Sequence, residues 1–146
     1  MRETTHMKKW IRDNWDGWIE SYEPRLGSSV GIPDIQIVVD GKLVPIELKV
    51  ADLSDGILCS SEIRPPQINW HRNLAAHDVL SLFLFGVGKG NVPERLFAAR
   101  GDKIANWSAG FDIRNLEEVS PNKRNFSGSL RELIRYMLST MEAKSK

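Results

Sequence analysis

The sequence has 146 residues, 41% of them hydrophobic, which is enough for one globular domain with a sizeable core. Its 20 lysines and arginines against 19 aspartates and glutamates give a net charge of +1, which excludes the strongly basic composition of a general nucleic-acid binder. The single cysteine, Cys59, excludes an intramolecular disulfide and a cysteine-based metal site. We therefore expect a reducing, cytoplasmic setting. We expect no signal peptide or membrane span, because no apolar run follows the charged residues at the N-terminus.

The first third of the chain predicts a helix followed by a β-hairpin. Apolar residues at helical spacing predict a helix over residues 7–22. Alternating apolar residues then predict two strands, over residues 35–39 and 44–50. Asp40-Gly41 between them is typical of a two-residue hairpin turn.

The rest of the chain predicts further helices and strands. We expect a polar loop over residues 51–64, and a helix to residue 76 that begins at Pro65 and Pro66, since proline is tolerated in the first turn. The apolar run over residues 79–87 indicates a strand buried on both faces. A further strand is predicted over residues 94–100 and, after weakly patterned residues 101–125, a helix over residues 129–142 that begins at a capping-box pattern.

The hairpin turn fixes which residues face each other across the two strands. If Asp40 and Gly41 form the turn, then Asp34 lies opposite Glu47 in a non-hydrogen-bonded pair, with Cα atoms about 4.5 Å apart. Lys49 lies two residues beyond Glu47 and therefore on the same face of the sheet. The pattern predicts that two carboxylates and one amine share a small space.

Opposed carboxylates repel each other unless a cation binds between them or one is protonated. A hard divalent ion such as Mg²⁺ takes one or two protein carboxylates together with water and phosphate oxygens, and Asp34 and Glu47 supply that minimum. Lys49 can then orient or deprotonate an attacking water, or stabilise the transition state of phosphodiester cleavage. The alternative is a solvated surface pair between Glu47 and Lys49, contributing under ~1 kcal/mol.

In these residues the sequence resembles the PD-(D/E)XK nuclease superfamily, and within it the VRR-NUC type found in phages and in cellular junction-processing enzymes. The resemblance covers about residues 3–87. The matching segments are Gly31-Ile-Pro-Asp34, Glu47-Leu-Lys49, "IRPPQINWHRNL" with Gln67 just inside a helix, and the apolar "LSLFLFGV". It implies an α/β fold of the restriction-endonuclease-like class, in which helices flank a mixed central sheet.

The resemblance also implies roles for individual residues. Asp34 and Glu47 would ligate Mg²⁺ or Mn²⁺, helped by the backbone carbonyl of Leu48. Lys49 would be the catalytic lysine, and Gln67 would help to position that lysine or the attacking water; the alternative for Gln67 is a solvent-exposed residue in the first turn of the helix. The superfamily often places a glutamate of the first helix near the metal, for which we prefer Glu3, because it continues the apolar stripe, over Glu20.

Four residues are candidates for contacts with DNA. Arg25, Ser28 and Ser29 precede the site in a glycine-containing loop, where side-chain and backbone donors suit phosphates. An ordinary solvated loop explains them nearly as well. His71 shares the helix face of Gln67 and can reach phosphate or relay a proton from there. The alternative for His71 is a purely structural role.

Together these patterns predict one nuclease domain over residues 1–146. Its core, residues 3–100, would follow the order αβββαβ with a short first strand around Arg25, and a C-terminal extension would carry the helix over residues 129–142. The predicted function is metal-dependent endonucleolytic cleavage of branched or structured DNA by a homodimer in the cytoplasm of a bacterial or phage-infected cell. The alternatives are a non-catalytic nucleic-acid-binding module with the same fold and a structural partner subunit.

Overall fold

The computed structural model describes residues 4–21, 33–60, 63–104 and 110–145, which contain three α-helices, two short 3₁₀ helices and eight strands. The helices are α1 (Thr4–Asn14), α2 (Pro65–Ala76) and α3 (Phe126–Ser145). The strands are β1 (Ile19–Ser21), β2 (Ile35–Val39), β3 (Lys42–Ser54), β4 (Ile57–Ser60), β5 (Leu82–Val87), β6 (Arg95–Arg100), β7 (Phe111–Asp112) and β8 (Glu117–Val119). None of the helices in these residues is long and apolar enough to cross a membrane.

The strands form one mixed sheet with the order β1-β2-β3-β5-β6-β8. The β3–β5 pairing is parallel, and α2 lies on the connection between these two strands, as a parallel pairing requires a crossover. The other pairings are antiparallel. Because β3 is 13 residues long, its first half pairs with β2 and its last four residues pair with β4, which in turn pairs with β7. The order α1-β1-β2-β3, then α2-β5, contains the predicted αβββαβ core.

One core lies between the sheet and the two terminal helices. Trp10 of α1 contacts Phe126 of α3 edge to face, with ring centroids 4.9 Å apart. This core consists of apolar side chains that alternate along the strands and recur at helical spacing, among them Met7, Ile11, Ile35, Ile37, Val44, Ile46, Leu48, Leu82, Leu84, Leu130 and Ile134. α3 therefore belongs to the main core and is not a peripheral addition.

A second core lies on the opposite face of the sheet, which α2 covers. Phe83 and Phe85 of β5 point to this side, whereas Leu82 and Leu84 belong to the first core. The prediction of a strand buried on both faces is thereby confirmed. The remaining buried members of the second core are Ala51, Leu58, Phe97, Ala99 and Ile104.

The helix predicted over residues 7–22 is wrong beyond Asn14. The Oγ of Ser127 in α3 donates to the Asn14 carbonyl and accepts from the N–H of Asp16, so it satisfies backbone groups at the end of α1. The chain then turns, and Ile19–Ser21 pairs with β2 as the first strand of the core. That strand was expected around Arg25, which lies outside the described residues.

The polar loop predicted over residues 51–64 is also wrong, because β3 continues to Ser54 and pairs with β4. Asp55 and Gly56 form the turn between them, with φ of 50° and 75°. These values match the 51° and 78° of Asp40 and Gly41 in the β2–β3 turn. Both Asp-Gly pairs adopt the left-handed conformations that a tight hairpin turn requires.

The C-terminal helix predicted over residues 129–142 is confirmed in type but begins three residues earlier, at Phe126. Ser129 does not cap it, since its N–H already donates to the Asn125 carbonyl inside the helix. Its Oγ instead accepts from the N–H of Ser120, which ties the end of β8 to α3. The weakly patterned residues before it contain the short strands β7 and β8.

Candidate active site

The β2–β3 hairpin has the predicted register. Ile35 pairs with Ile46, and Val39 pairs with Lys42 beside the turn, so the next position along places Asp34 opposite Glu47. The backbone pairing of the two strands stops at Ile35. Beyond it the Asp34 side chain contacts β3 instead, since its Oδ2 accepts a 2.8 Å hydrogen bond from the N–H of Leu48. This bond holds the Asp34 carboxylate against β3.

Glu47 is buried in the middle of this site, with only 4% of the residue exposed. Its Oε1 accepts a 2.8 Å hydrogen bond from Nε2 of Gln67 and lies 3.9 Å from Nζ of Lys49. Its Oε2 is also buried, and no donor among the described residues reaches it. A buried carboxylate oxygen without a donor is unfavourable unless a cation, or a proton shared with the Asp34 carboxylate, satisfies it.

Burial disturbs the ionisation of both carboxylates, and the charge of Asp34 adds to its effect on Glu47. Burial raises the pKa of Asp34 above its ordinary value, partly opposed by the hydrogen bond from the Leu48 N–H. Burial and the nearby negative charge of Asp34 raise the pKa of Glu47 to about 8. Without a bound cation, the pair therefore retains a proton at neutral pH.

Gln67 connects Glu47 to the start of α2. It lies in the first turn of the helix, where its Oε1 accepts a 3.0 Å hydrogen bond from the N–H of Arg64, the residue before the helix. Its Nε2 donates to Glu47. The side-chain amide thus satisfies a free backbone N–H at the helix start and orients the carboxylate at the same time.

Three cationic side chains surround the carboxylates. Lys8 and Lys49 oppose the effect of burial on the pKa of Asp34, and Lys49 and Arg64 oppose it on the pKa of Glu47. Sequence analysis missed Lys8 and Arg64. The available signal was that Lys8 adjoins Met7 of the buried stripe on α1, and that Arg64 immediately precedes the prolines that begin α2.

The donor set fits a hard divalent cation. Within the described residues no group of three or more histidine, cysteine, aspartate or glutamate side chains could hold a metal. The side-chain ligands that this part of the chain offers to an ion at the site are therefore the two carboxylates. Mg²⁺ retains several waters and needs no more than one or two protein carboxylates. The oxygen of Glu47 that lacks a donor is the kind of atom such an ion satisfies. The predicted third carboxylate, Glu3, lies outside the described residues.

His71 lies close to this site but is not accessible to DNA. Its side chain is 0% exposed, and its ring packs 4.5 Å from that of Phe83 between α2 and the sheet. The predicted contact with a phosphate does not fit this burial. The other predicted DNA contacts, Arg25, Ser28 and Ser29, lie outside the described residues.

The raised pKa of Glu47 and the lowered pKa of His71 predict a specific pH dependence of stability. The folded-state pKa of Glu47 is about 8, against 4.5 ordinarily, so stability falls as pH rises between these values. Burial lowers the pKa of His71 to about 4 from 6.5, so its contribution is complete above 6.5 and is lost only as pH falls. Between pH 6.5 and 8 the metal-free protein should lose up to about 2 kcal/mol through Glu47.

This pH dependence can be measured by urea unfolding in EDTA at pH 6.5, 7.2 and 8.0. Glu47→Gln should remove the slope, because the amide does not ionise and can still accept the hydrogen bond from Gln67. A wild-type protein whose stability is constant or rises over this range would contradict the buried, repelled state of Glu47.

Comparisons with known proteins identify the fold. No protein-family model matches the sequence, and no curated protein matches it. Among solved structures, the chain is similar to Hjc of Archaeoglobus fulgidus, a Holliday junction resolvase from an archaeal hyperthermophile, with a TM-score of 0.54 and 10% identity. The match covers 90% of this chain and 98% of that one. The α/β fold of the restriction-endonuclease-like class is thereby confirmed.

Proposed function

We propose that this protein is a metal-dependent endodeoxyribonuclease that hydrolyses phosphodiester bonds in branched or structured DNA. The observation that carries the proposal is the Asp34–Glu47 pair. Asp34, one residue before β2, lies opposite Glu47 of β3 in the register of the hairpin, one buried oxygen of Glu47 has no donor among the described residues, and the amine of Lys49 lies 3.9 Å from the other. When both carboxylates are ionised, this arrangement destabilises the protein unless a cation binds, and with a cation it suits phosphodiester hydrolysis.

The fold and the sequence motifs support the same function. One similar solved structure is that of a Holliday junction resolvase, a protein whose name refers to branched DNA. The motif residues resemble those of the VRR-NUC type of the PD-(D/E)XK superfamily, and the contacts of Asp34 with β3 and of Glu47 with Gln67 and Lys49 support one shared site. Near-neutral net charge fits a shaped binding site better than indiscriminate duplex binding.

Each residue has a defined task in this proposal. Asp34 and Glu47, with the Leu48 carbonyl, would hold Mg²⁺ or Mn²⁺. When bound, such an ion neutralises charge that develops on the phosphate and lowers the pKa of water. Lys49 would orient the attacking water or take its proton, and Gln67 would keep the Glu47 carboxylate in place through the bond between their side chains.

Cationic side chains at the site would contact phosphates of the DNA backbone. Lys8 of α1 and Arg64, just before α2, both act on the pKa values of the carboxylates, so we propose that both contact phosphates of a strand bound at the site. Arg25, Ser28 and Ser29 remain proposed contacts from the loop before Asp34. We also propose a homodimer, because one compact site cuts one strand and a two-fold dimer would place two sites on a branched substrate.

The direct test is cleavage of duplex, single-stranded, flap and four-way-junction DNA with Mg²⁺ or Mn²⁺. We expect cleavage of a branched substrate in preference to the duplex, and none with EDTA or with Asp34→Asn. Binding without cleavage of any substrate would support the non-catalytic module instead. An absence of both binding and cleavage would leave the structural partner subunit.

Salt dependence of DNA binding tests the proposed phosphate contacts. Lys8→Ala and Arg64→Ala should each reduce the slope of log affinity against log salt by about 0.7 to 0.9, because each variant loses one phosphate contact. Lys123→Ala is the control, since this exposed residue lies in the turn before α3 and outside the site. Fluorescence anisotropy in EDTA measures the slopes without cleavage. Equal reductions in all three variants would contradict the assignment.

A further inference from the structure

The environment of His71 is more specific than that of an ordinary core residue. Its Nδ1 lies 2.6 Å from Oγ of Ser81, and both side chains are buried. Its Nε2 is buried too, and no partner reaches it within the described residues. A leucine would fill a similar space without burying an unpaired nitrogen, so packing alone does not explain an imidazole here. The hydrogen bond to Ser81 explains the imidazole, because it fixes the rotation of the ring.

The backbone after β6 closes against the same ring. The N–H of Gly101 donates to the carbonyl of Ser81, at 2.8 Å. A Cβ at this position would lie 2.2 Å from Nδ1 of His71, closer than any real contact, and 2.6 Å from Oγ of Ser81. Only glycine lets the chain approach so closely. The His71 ring is therefore held from two sides, by the segment before β5 and by the turn after β6.

His71 is also joined to the candidate active site through two routes. Glu47 of β3 and Phe83 of β5 are paired in the parallel ladder, and the Phe83 ring contacts the His71 ring at 4.5 Å. On α2, Gln67 lies four residues before His71 and therefore on the same helix face, and its Nε2 donates to Glu47. Glu47, Phe83, His71 and Gln67 are all buried, and they are linked by strand pairing, ring packing, their positions on α2 and one hydrogen bond.

We infer that His71 is a positioning residue. It sets the distance of α2 from the sheet and the rotation of α2 about its axis, so that the amide of Gln67 meets the Glu47 carboxylate. His71 acts through Gln67 and does not touch the substrate. The consequence for metal affinity rests on the proposed function, whereas the effect on Gln67 does not. We call the set of His71, Ser81 and Gly101 the α2 anchor.

The first test follows the Gln67 side chain by NMR in the protein without metal. The side-chain NH₂ resonances of Gln67 are assigned by their absence in Gln67→Ala. They should move toward the values of a solvent-exposed glutamine in His71→Leu and in Ser81→Ala, and move back in His71→Asn, whose amide can restore a bond to Ser81. Ile134→Val, in the opposite core, is the control and should leave them unchanged. Unchanged Gln67 resonances in both anchor variants would overturn the inference.

The second test is a double-mutant cycle on Mn²⁺ affinity. His71→Leu should weaken binding about tenfold when Gln67 is present and by less than about twofold in the Gln67→Ala background, because partners that orient a ligand typically contribute 10- to 100-fold. Ser81→Ala replaces it if His71→Leu does not fold. Equal losses in both backgrounds would overturn the inference. If the wild type binds no Mn²⁺, the proposed function fails, and the NMR result alone decides the role of His71.

Discussion

Lys49→Ala should lower the rate of DNA cleavage by about 10²- to 10⁴-fold, the range that a positioned acid or base contributes. The amine of Lys49 lies 3.9 Å from Oε1 of Glu47, and its side chain is only 14% exposed. Because it is not a proposed metal ligand, metal binding should persist. DNA affinity should fall only by the loss of one charge, which reduces the salt slope by about one unit.

Single-turnover cleavage, measured beside metal and DNA binding, separates these effects. Lys42→Ala is the matched control, because Lys42 begins the same strand, is exposed, and pairs with Glu142 far from the site. The control should cleave at the wild-type rate. If Lys49→Ala cuts within threefold of the wild type while binding metal and DNA normally, Lys49 has no part in the chemistry.

Glu47→Gln should be at least as stable as the wild type without metal and less stable with it. In EDTA at pH 8 the variant removes the repulsion between two buried carboxylates, yet its amide oxygen can still accept the bond from Gln67. In Mg²⁺ only the wild type retains both ligands. At a hundredfold excess over the dissociation constant, binding adds about 2.7 kcal/mol to the free energy of unfolding. The order of stability should therefore reverse.

Urea unfolding of both proteins in EDTA and in Mg²⁺ measures this reversal. Glu118→Gln is the control, because Glu118 forms an exposed ion pair with Arg95. The control should show a small loss, under ~1 kcal/mol, that is the same with and without metal. If Glu47→Gln behaves like this control, the site is a solvated ion pair and the carboxylates are not opposed.

The site could be predicted from sequence because a tight turn fixes the pairing between the two strands that it joins. Once Asp40 and Gly41 form a two-residue turn, the period of two along each strand fixes Asp34 against Glu47 and places Lys49 on the same face. The same rule applied to Asp55-Gly56 would have found the second hairpin. It was missed because the polar residues around it resemble a loop.

Contacts between distant residues could not be predicted. The end of α1 depends on Ser127, 111 residues after Asp16, whereas the apolar stripe continues past it at helical spacing. The burial of His71 depends on Gly101 and Phe83, which come from two other elements. β7 and β8 are two and three residues long, so their patterns are too short to detect, and pairing with their neighbours defines them.

The measurement that tests the account most directly is Mn²⁺ binding in the absence of DNA, followed by electron paramagnetic resonance of the free ion. Asp34 and Glu47 are predicted to form one divalent-cation site per chain, so the wild type should bind one ion. Asp34→Asn and Glu47→Gln should each lose that binding, and Glu118→Gln should retain it. Wild-type binding that survives both site variants, or a wild type that binds no ion at millimolar concentration, would contradict the claim that this carboxylate pair is a metal site.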